Sequence, residues 1–375
     1  MKKNHLYIFL VVCLLIILGF LFIPLIVEQQ SQKNLTASAT SSLTDEIASK
    51  EVKALDVPVL DKVSYDQKLL ALANIPVVIV STSTSTSTKK KVASTTPVLI
   101  KNPWPVKNTY PNVGALLPFN RIVAYYGNFY STKMGVLGQY PPEQMLKMLL
   151  AETKKWEEAD PTTPVIPAIH YIAVTAQGSA GSDGKYRSRM PKDQIEKAIS
   201  LAKEVNGIVI LDIQDGLSSV QSEVPLLKDY LTLPNVHLAL DPEFSMSTSG
   251  KKPGTVIGTM DAADINFTAD YLAKIVRDNN LPSKILIVHR FTNRMVTNSQ
   301  NIIPLPEVQV VMDMDGWGGK PNKIKAYKDV IYSYPVQFTG MKLFYKNDLL
   351  PPSAGMLTTA QVLNLKPIPS YIQYQ

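Results

Sequence analysis

The stretch Val236-His-Leu-Ala-Leu-Asp-Pro-Glu-Phe244 combines a short, largely apolar run with two carboxylates at its end. The apolar part is typical of a buried strand, and we predict that the strand continues to Phe244. Because side chains alternate along a strand, Asp241 and Glu243 should share one face with His237, and the two carboxylates should lie about 7 Å apart. We therefore predict a reaction centre at the end of this strand.

This strand is the fourth of eight similar runs in residues 119–375, most of them followed by a segment with helical periodicity, as at 142–158, 191–205, 261–278 and 322–333. Alternating strands and helices predict parallel strands with right-handed crossovers, and eight such units match a closed (β/α)8, or TIM, barrel. An open doubly wound sheet is the alternative, but the segment after the first strand lacks the glycine spacing of a dinucleotide fingerprint. The predicted strands are 121–126, 165–173, 207–214, 236–244, 284–291, 308–315, 336–345 and 370–374.

The N-terminus carries an unbroken apolar run at residues 6–27, directly after Lys2 and Lys3. A helix of this length crosses a hydrocarbon core of about 30 Å, which favours a transmembrane signal anchor. A cleaved signal peptide is the alternative, but its apolar region is usually about 7–15 residues long. The two lysines predict a cytoplasmic N-terminus and place the remainder of the chain outside the cytoplasm.

Residues 28–118 are predicted to form a low-complexity extracytoplasmic linker between the anchor, 1–27, and the barrel domain, 119–375. The alternating Ser and Thr of residues 81–88 provide no side chains for a core, so that part should be extended and solvated. For residues 43–80 the sequence leaves open a helix or short strand docked on the barrel. Trp104 lies between two prolines that favour extended backbone, and we expect it to pack against the closed end of the barrel.

The net charge of +7 arises mainly outside the predicted barrel. Residues 1–115 contain 12 Lys and Arg against 7 Asp and Glu, whereas residues 116–375 contain 26 against 24. A domain that binds nucleic acid concentrates basic residues on its folded surface, so no nucleic acid is predicted as a partner. Cys13 is the single cysteine. The barrel can therefore have neither a disulfide nor a cysteine-ligated zinc site, and its core has to stabilise it.

Polar and aromatic residues gather where the predicted strands end. In a parallel barrel these ends and the loops after them form the mouth of the active site. Several carboxylates buried together require cations, shared protons or a substrate nearby. Aromatic rings at one rim would suit stacking on the C–H faces of sugars. The candidate substrate-binding residues are Tyr125, Tyr126, His170, Asp212, Gln214, His289, Arg290, Asp315, Trp317, Lys342 and Tyr345.

The pair of carboxylates favours glycoside hydrolysis, which needs a protonated carboxyl group beside the leaving oxygen and a second group at the oxocarbenium-like centre. We predict that Glu243 is the acid, because a charged Asp241 nearby would raise its pKa. Asp241 or Asp313 would act as nucleophile, base or orienting group. The expected partner is a carbohydrate or cell-wall polymer at the outer side of the cell membrane. Neither a cofactor nor a metal is part of this interpretation.

Three other interpretations stay open. In the first, Arg290, Lys342 and the carboxylates form a structural salt-bridge network that fills the mouth. In the second, the protein is a non-catalytic barrel that holds glycan or cell wall on its rim aromatics. In the third, it is a metal-dependent hydrolase, although the chain lacks an HxH or HExxH pair. The ligands of that third alternative would be Asp212, Asp241, Glu243, His289 and Asp313.

The Asp-x-Glu ending at Asp241 and Glu243, together with Asp313-Met-Asp315 on the sixth strand, resembles chitinase-like barrels of the glycoside-hydrolase type. The acid of those enzymes lies at the end of strand 4, two residues after an aspartate, so the resemblance implies a TIM barrel with Glu243 as the acid. The match is partial. This chain has apolar residues before Asp241 where those enzymes carry further aspartates, and its last strand lacks their tryptophan.

Four further segments of the chain are Tyr125-Tyr-Gly127, Asp241-Pro-Glu-Phe-Ser-Met246, Val288-His-Arg-Phe291 and Asp315-Gly-Trp-Gly318. In these segments the span from Arg121 to Gln375 resembles a family of uncharacterised bacterial exported proteins. This resemblance implies an exported barrel and no particular reaction.

Overall fold

The computed structural model describes residues 59–74, 104–106 and 108–375. The predicted anchor at residues 6–27 and most of the predicted linker lie outside the described residues. Within the described parts of the chain, no helix combines the length and the apolar character that a membrane span requires.

Eight parallel strands close into a barrel, so the predicted (β/α)8 fold is confirmed. Each strand pairs with the next along the chain, and the barrel closes because the first strand pairs with both the second and the eighth. All eight predicted strands are present. They are β1 Arg121–Gly127, β2 Val165–Ala176, β3 Ile208–Ile213, β4 Val236–Leu240, β5 Lys284–His289, β6 Val308–Met314, β7 Phe338–Leu343 and β8 Tyr371–Tyr374.

Helices of very different length connect these strands. Between β5 and β6, where the repeating pattern predicts a helix, the described chain forms the 3-10 turns Asn293–Met295 and Ser299–Asn301 and the two-residue strand Val296–Thr297. The predicted helix at 322–333 is an α-helix that continues as a π-helix over Tyr327–Tyr332. The helices are α1 Lys62–Leu72, α2 Val136–Gln139, α3 Pro142–Ala159, α4 Lys192–Glu204, α5 Val220–Glu223, α6 Lys228–Leu231, α7 Ala262–Asn279, α8 Lys320–Ala326 and α9 Thr359–Leu363.

The longest helices are amphipathic and bury one face against the outside of the barrel. In α3, Pro142 occupies the first turn, where a missing N–H leaves no hydrogen bond unmade. Its buried face carries Met145, Leu149 and Trp156, which repeat at helical spacing. Three short strands lie outside the barrel: Arg187–Arg189 runs antiparallel to the end of β2, and Met260–Asp261 pairs with Val296–Thr297.

The barrel interior at the N-terminal ends of the strands is mainly apolar, with His237 as a buried polar side chain, and part of the predicted linker closes it. Trp104 is buried and donates from Nε1 to the carbonyl oxygen of Gln337 at 2.8 Å, so its predicted packing at the closed end is confirmed. The described segment Val59–Asn74 belongs to the same compact unit as the barrel. We define the closed-end cluster as Tyr65, Leu72, Trp104, Leu117, Ile122, Ala124, Ala168, Ile210, Ala239, Ile285, Ile287, Val311 and Phe338.

Strand β4 is shorter than predicted. It ends at Leu240, and Pro242–Phe244 forms a 3-10 turn. Pro242 has no N–H with which to continue the ladder, and Asp241 Oδ1 accepts from the backbone N–H of Glu243 at 3.2 Å. The expectation that both carboxylates lie on one extended strand, about 7 Å apart, is therefore wrong. Both groups nevertheless reach the mouth of the barrel.

Candidate functional site

The mouth of the barrel contains a pocket of about 540 Å³. Three carboxyl groups line it: Asp241 and Glu243 come from the turn after β4, and Asp315 follows β6 directly. One oxygen from each lies within 4.8 Å of the others. We call Asp241, Glu243 and Asp315 the pocket carboxyls. Other side chains that line the pocket include Lys133, Tyr126, Gln214, Phe291, Trp317, Lys342, Phe344 and Asn347.

The pocket carboxyls differ in their surroundings. Asp241 is buried, and its Oδ2 accepts from Gln214 Nε2 at 3.1 Å. Burial raises the pKa of Asp241 well above its ordinary value. Glu243 is half-buried, and burial together with the nearby charge of Asp315 raises its pKa as well. Glu243 is therefore a group that holds a proton to higher pH than an ordinary glutamate and can present it to a molecule in the pocket.

A fully buried polar layer lies next to the pocket, inside the barrel. Tyr126 joins the two, because it lines the pocket and its hydroxyl donates to Asp212 Oδ2 at 3.1 Å. Gly340 makes room for this layer: a Cβ there would lie 2.5 Å from Asp313 Oδ1. We define the inner polar layer as His170 of β2, Asp212 of β3, His289 of β5, Asp313 of β6, and Tyr371 and Gln373 of β8.

The charges of the inner polar layer are unevenly distributed. Burial disfavours the charged form of His289, but the contacts of its Nδ1 with Asp313 and Asp315, both at 3.4 Å, raise its pKa well above the ordinary value. Burial lowers the pKa of His170 to about 4, so this ring is neutral. Burial also opposes ionisation of Asp212, yet its contact with His170 and the charge of His289 hold its pKa below the ordinary value.

The structure divides the predicted site residues into three groups. Those in the pocket are Tyr126, Gln214, Asp241, Glu243, Asp315, Trp317 and Lys342. Those in the inner polar layer are His170, Asp212, His289 and Asp313. Asp313, which the sequence placed beside the acid, thus lies in the buried layer, and Asp315 takes the position in the pocket. The third group, Tyr125, Arg290 and Tyr345, does not line the pocket.

The expectation that four aromatic residues share one rim is wrong for Tyr125 and Tyr345. Neighbouring residues of β1 face opposite sides of the sheet, and Tyr126 takes the inward position. Tyr125 packs in the core between barrel and helices, where its hydroxyl lies 3.1 Å from that of Tyr345. Tyr345 borders only a small neighbouring cavity of about 80 Å³.

The predicted alternative of a salt-bridge network does not describe the mouth. Arg290 is buried, and its Nη2 donates to the carbonyl oxygens of Asn293 and Val296, both at 3.2 Å. The Lys342 ammonium group lies 3.8 Å from the centre of the Tyr126 ring. Within the described chain, neither cation is within 4.0 Å of a pocket carboxyl, so the pocket is not sealed by ion pairs.

Several pocket residues were missed by reasoning from sequence. Phe291 and Phe344 follow β5 and β7 closely, so their position after a strand end was an available signal. Lys133 and Asn347 lie farther along the loops that follow β1 and β7. The sequence contains no pattern that would have assigned those two residues to the pocket.

Comparison with known proteins yields distant structural similarities. No protein-family model matches the chain, and no curated protein matches its sequence. Cellulase Cel5C_n is similar at 14% identity over 60% of this chain and 65% of the cellulase chain, with a TM-score of 0.35. The Clostridial cellulose synthase subunit Z (CcsZ) from Clostridioides difficile shares 11% identity over 68% of this chain and 91% of its own, with a TM-score of 0.33.

A GH18 chitinase from Pseudoalteromonas aurantia shares 12% identity over 68% of this chain and 79% of its own, with a TM-score of 0.26. At these identities and TM-scores, the similarities carry no argument about substrate or reaction. Any functional conclusion has to come from the chemistry of the pocket itself.

Proposed function

We propose that this protein is a glycoside-hydrolase-like enzyme in which Glu243 is the general acid. The observation that carries the proposal is the convergence of the pocket carboxyls, whose oxygens lie within 4.8 Å of one another in an open pocket of about 540 Å³. A pocket of this size accommodates a small ligand or part of a polymer. Glycoside hydrolysis requires such a pair of carboxyl groups, one protonated and one charged.

Asp315 is the best candidate for the charged partner. It lines the pocket, and its Oδ2 lies 3.4 Å from His289 Nδ1, a ring nitrogen that can donate to a carboxylate. Asp241 would orient the acid, because its carboxyl group accepts from the backbone N–H of Glu243 and from Gln214. Carboxyl groups about 5–5.5 Å apart are typical of retaining enzymes. An oxygen of Glu243 and one of Asp315 lie within 4.8 Å of each other, closer than the roughly 6.5–9.5 Å of inverting enzymes, so we expect the anomeric configuration to be retained.

The location and the partner belong to the same proposal. The apolar run at residues 6–27 would anchor the chain in the cell membrane, with the barrel outside the cytoplasm. A carbohydrate or cell-wall polymer would then be the substrate. Trp317, whose side chain is 61% exposed at the rim, offers a flat apolar surface on which a sugar ring can stack.

Replacement of Glu243 by Gln tests the proposal directly. The measurement is the release of reducing ends from a panel of cell-wall and environmental glycans. On any glycan that the wild-type chain hydrolyses, we expect Glu243→Gln to lower kcat by about 10²–10⁴-fold and to retain substrate binding. Glu307→Gln is the matched control. Glu307 pairs with Arg277 at 2.9 Å just before β6, far from the mouth.

Two results would contradict the proposal. Unchanged hydrolysis in Glu243→Gln would show that Glu243 is not the acid. Glycan binding by the wild-type chain without any release of reducing ends would instead identify a non-catalytic glycan-binding barrel.

A further inference from the structure

The inner polar layer contains a set of potential metal ligands that do not line the pocket of the proposed hydrolysis. His170, Asp212 and His289 project from three different strands into the barrel interior. One ligand atom from each lies within 4.8 Å of the others, and all three side chains are fully buried. The Nε2 atoms of His170 and His289 lie 3.8 and 3.9 Å from Asp212 Oδ2.

The two imidazole nitrogens that face Asp212 have no hydrogen-bond partner. His170 Nε2 and His289 Nε2 are both buried and unpaired, as is Asp212 Oδ1, whereas Asp212 Oδ2 accepts from the Tyr126 hydroxyl at 3.1 Å. A buried polar atom without a partner is costly, and a single ion could serve as partner to both unpaired nitrogens and to the carboxylate. A tetrahedral ion with bonds of about 2.1 Å holds its ligand atoms roughly 3.4 Å apart. The two Nε2–Oδ2 separations of 3.8 and 3.9 Å need to close by about 0.5 Å to reach that geometry, and the separation between the two histidine nitrogens, which is at most 4.8 Å, by up to about 1.4 Å.

The opposite side of each histidine ring is supported as metal-bound histidines usually are. His289 Nδ1 lies 3.4 Å from Oδ2 of both Asp313 and Asp315, which are suited to accept its proton. His170 Nδ1 lies 2.6 Å from the Tyr371 hydroxyl and 2.9 Å from the Gln373 amide. If the Gln373 amide is rotated by half a turn, its otherwise unpaired Oε1 accepts from His170 Nδ1–H. The lone pair of His170 Nε2 is then free to bind a metal ion.

The charge around the triad also favours a cation. Five carboxyl groups belong to the pocket or to the inner polar layer, while the lysines among them are Lys133 and Lys342. Burying more carboxylates than cations is unfavourable unless protons or a metal ion supply positive charge. A divalent ion in the triad would replace the proton on His289 Nε2 and thus add one net positive charge at the most buried point.

We propose that His170 Nε2, His289 Nε2 and the Asp212 carboxylate form a binding site for a first-row divalent transition metal, with Zn²⁺ as the simplest candidate. Two imidazoles and one carboxylate suit these metals, in contrast to the all-oxygen sites of Mg²⁺ and Ca²⁺. Three protein ligands leave a further coordination position for water. The site is distinct from the pocket carboxyls, and it stands whether or not Glu243 is a general acid.

The test is a Zn²⁺ titration of the full-length chain by calorimetry after removal of metal with a chelator. We expect one ion per chain and a higher Tm with the ion bound, because a ligand that binds only the folded state stabilises it. His170→Gln and His289→Gln should each weaken binding by at least about 100-fold, and Asp313→Asn, which acts through His289, by about 10–100-fold.

His237→Gln is the matched control. His237 is also buried inside the barrel, but its Nδ1 accepts from the backbone N–H of Ile285 at 3.0 Å near the closed end, and glutamine can replace that acceptor. We expect this variant to bind Zn²⁺ as the wild type does. Should the ligand variants not fold, ¹⁵N-histidine spectra of the wild-type chain give the answer instead, since Zn²⁺ should shift the Nε2 signals of His170 and His289 and leave those of His237 unchanged.

Three outcomes would overturn the proposal. One is the absence of saturable binding at millimolar Zn²⁺, which would leave protons to balance the carboxylates. Another is unchanged affinity in His170→Gln and His289→Gln. The third is binding that is lost in Glu243→Gln and kept in His170→Gln, which would place the ion among the pocket carboxyls.

Discussion

The same eight strands build two halves of the barrel interior with opposite chemistry. At the closed end, residues such as Ile210, Ala239 and Ile287 pack with Trp104 and helix α1. Toward the mouth, the next inward positions of those strands are Asp212, Asp241 and His289. Residues two apart on a strand lie on the same face of the sheet. One such step toward the mouth therefore leads from a half of the interior that stabilises the fold to a half that lowers stability and can take part in catalysis.

The largest predicted effect is a pH dependence of activity that arises in the polar half of the barrel interior. Glu243 has to be protonated to act as an acid, and its raised pKa keeps it protonated to higher pH than an ordinary glutamate. Wild-type activity should be present below that pKa and should fall about tenfold per pH unit above it. The fall should stop at the activity of Glu243→Gln, which we expect to be about 10²–10⁴-fold lower than the wild-type maximum. Rate measurements from pH 4 to 9 check this. A profile of the same shape in Glu243→Gln would assign the titration to another group.

The next effect concerns the apolar half. Ile287 is fully buried in the closed-end cluster, so Ile287→Ala should lower the free energy of unfolding by about 2–5 kcal/mol through lost burial and a cavity. Urea unfolding measures the change, and activity per folded molecule should persist. Ile257→Ala is the control, since Ile257 is 47% exposed. Equal effects of the two substitutions would contradict the packing described for the closed end.

An intermediate effect is expected at Asp215, a buried carboxyl just after β3. Its Oδ2 accepts from Ser245 Oγ at 3.3 Å and its Oδ1 has no partner, and burial raises its pKa to about 8. In the unfolded chain it ionises near its ordinary value, so wild-type stability is fully present below about pH 4 and decreases as the pH rises toward 8. Asp215→Asn should therefore raise the unfolding free energy at pH 7 by on the order of 1–3 kcal/mol.

The gain from Asp215→Asn should disappear near pH 4, where both states of the wild type are protonated. Chemical unfolding at pH 4 and pH 7 measures it, with the exposed Asp270→Asn as control. A gain of the same size at both pH values would mean that ionisation of Asp215 is not its cause.

The smallest expected effect is at the rim. Trp317→Ala should raise KM for a glycan substrate several-fold, corresponding to about 1 kcal/mol of lost stacking, and should change stability by less than about 0.5 kcal/mol. Tyr130→Ala is the control, because Tyr130 is 64% exposed and does not line the pocket. A similar increase of KM in both variants would argue against specific stacking on Trp317.

Much of this arrangement follows from local sequence patterns. Short apolar runs separated by helical segments predicted all eight strands, and a position at a strand end predicted that Asp241, Glu243 and Asp315 would reach the mouth. Local pattern did not separate Tyr125 from Tyr126, because both end the same strand and only the phase of the alternation decides which one faces inward. It also did not show that Pro242 ends β4.

By itself, the sequence determined the barrel, the order of its strands and the set of polar residues at its mouth, because these depend on periodicity and on the end of each strand. Only the tertiary structure decided the depth of each polar residue. Asp313 and Asp315 face the same way, yet Asp313 lies in the inner polar layer and Asp315, two residues later, lies in the pocket. The stagger of neighbouring strands determines which of their residues lie at the same depth in the barrel. The meeting of His170, Asp212 and His289 depends on that stagger.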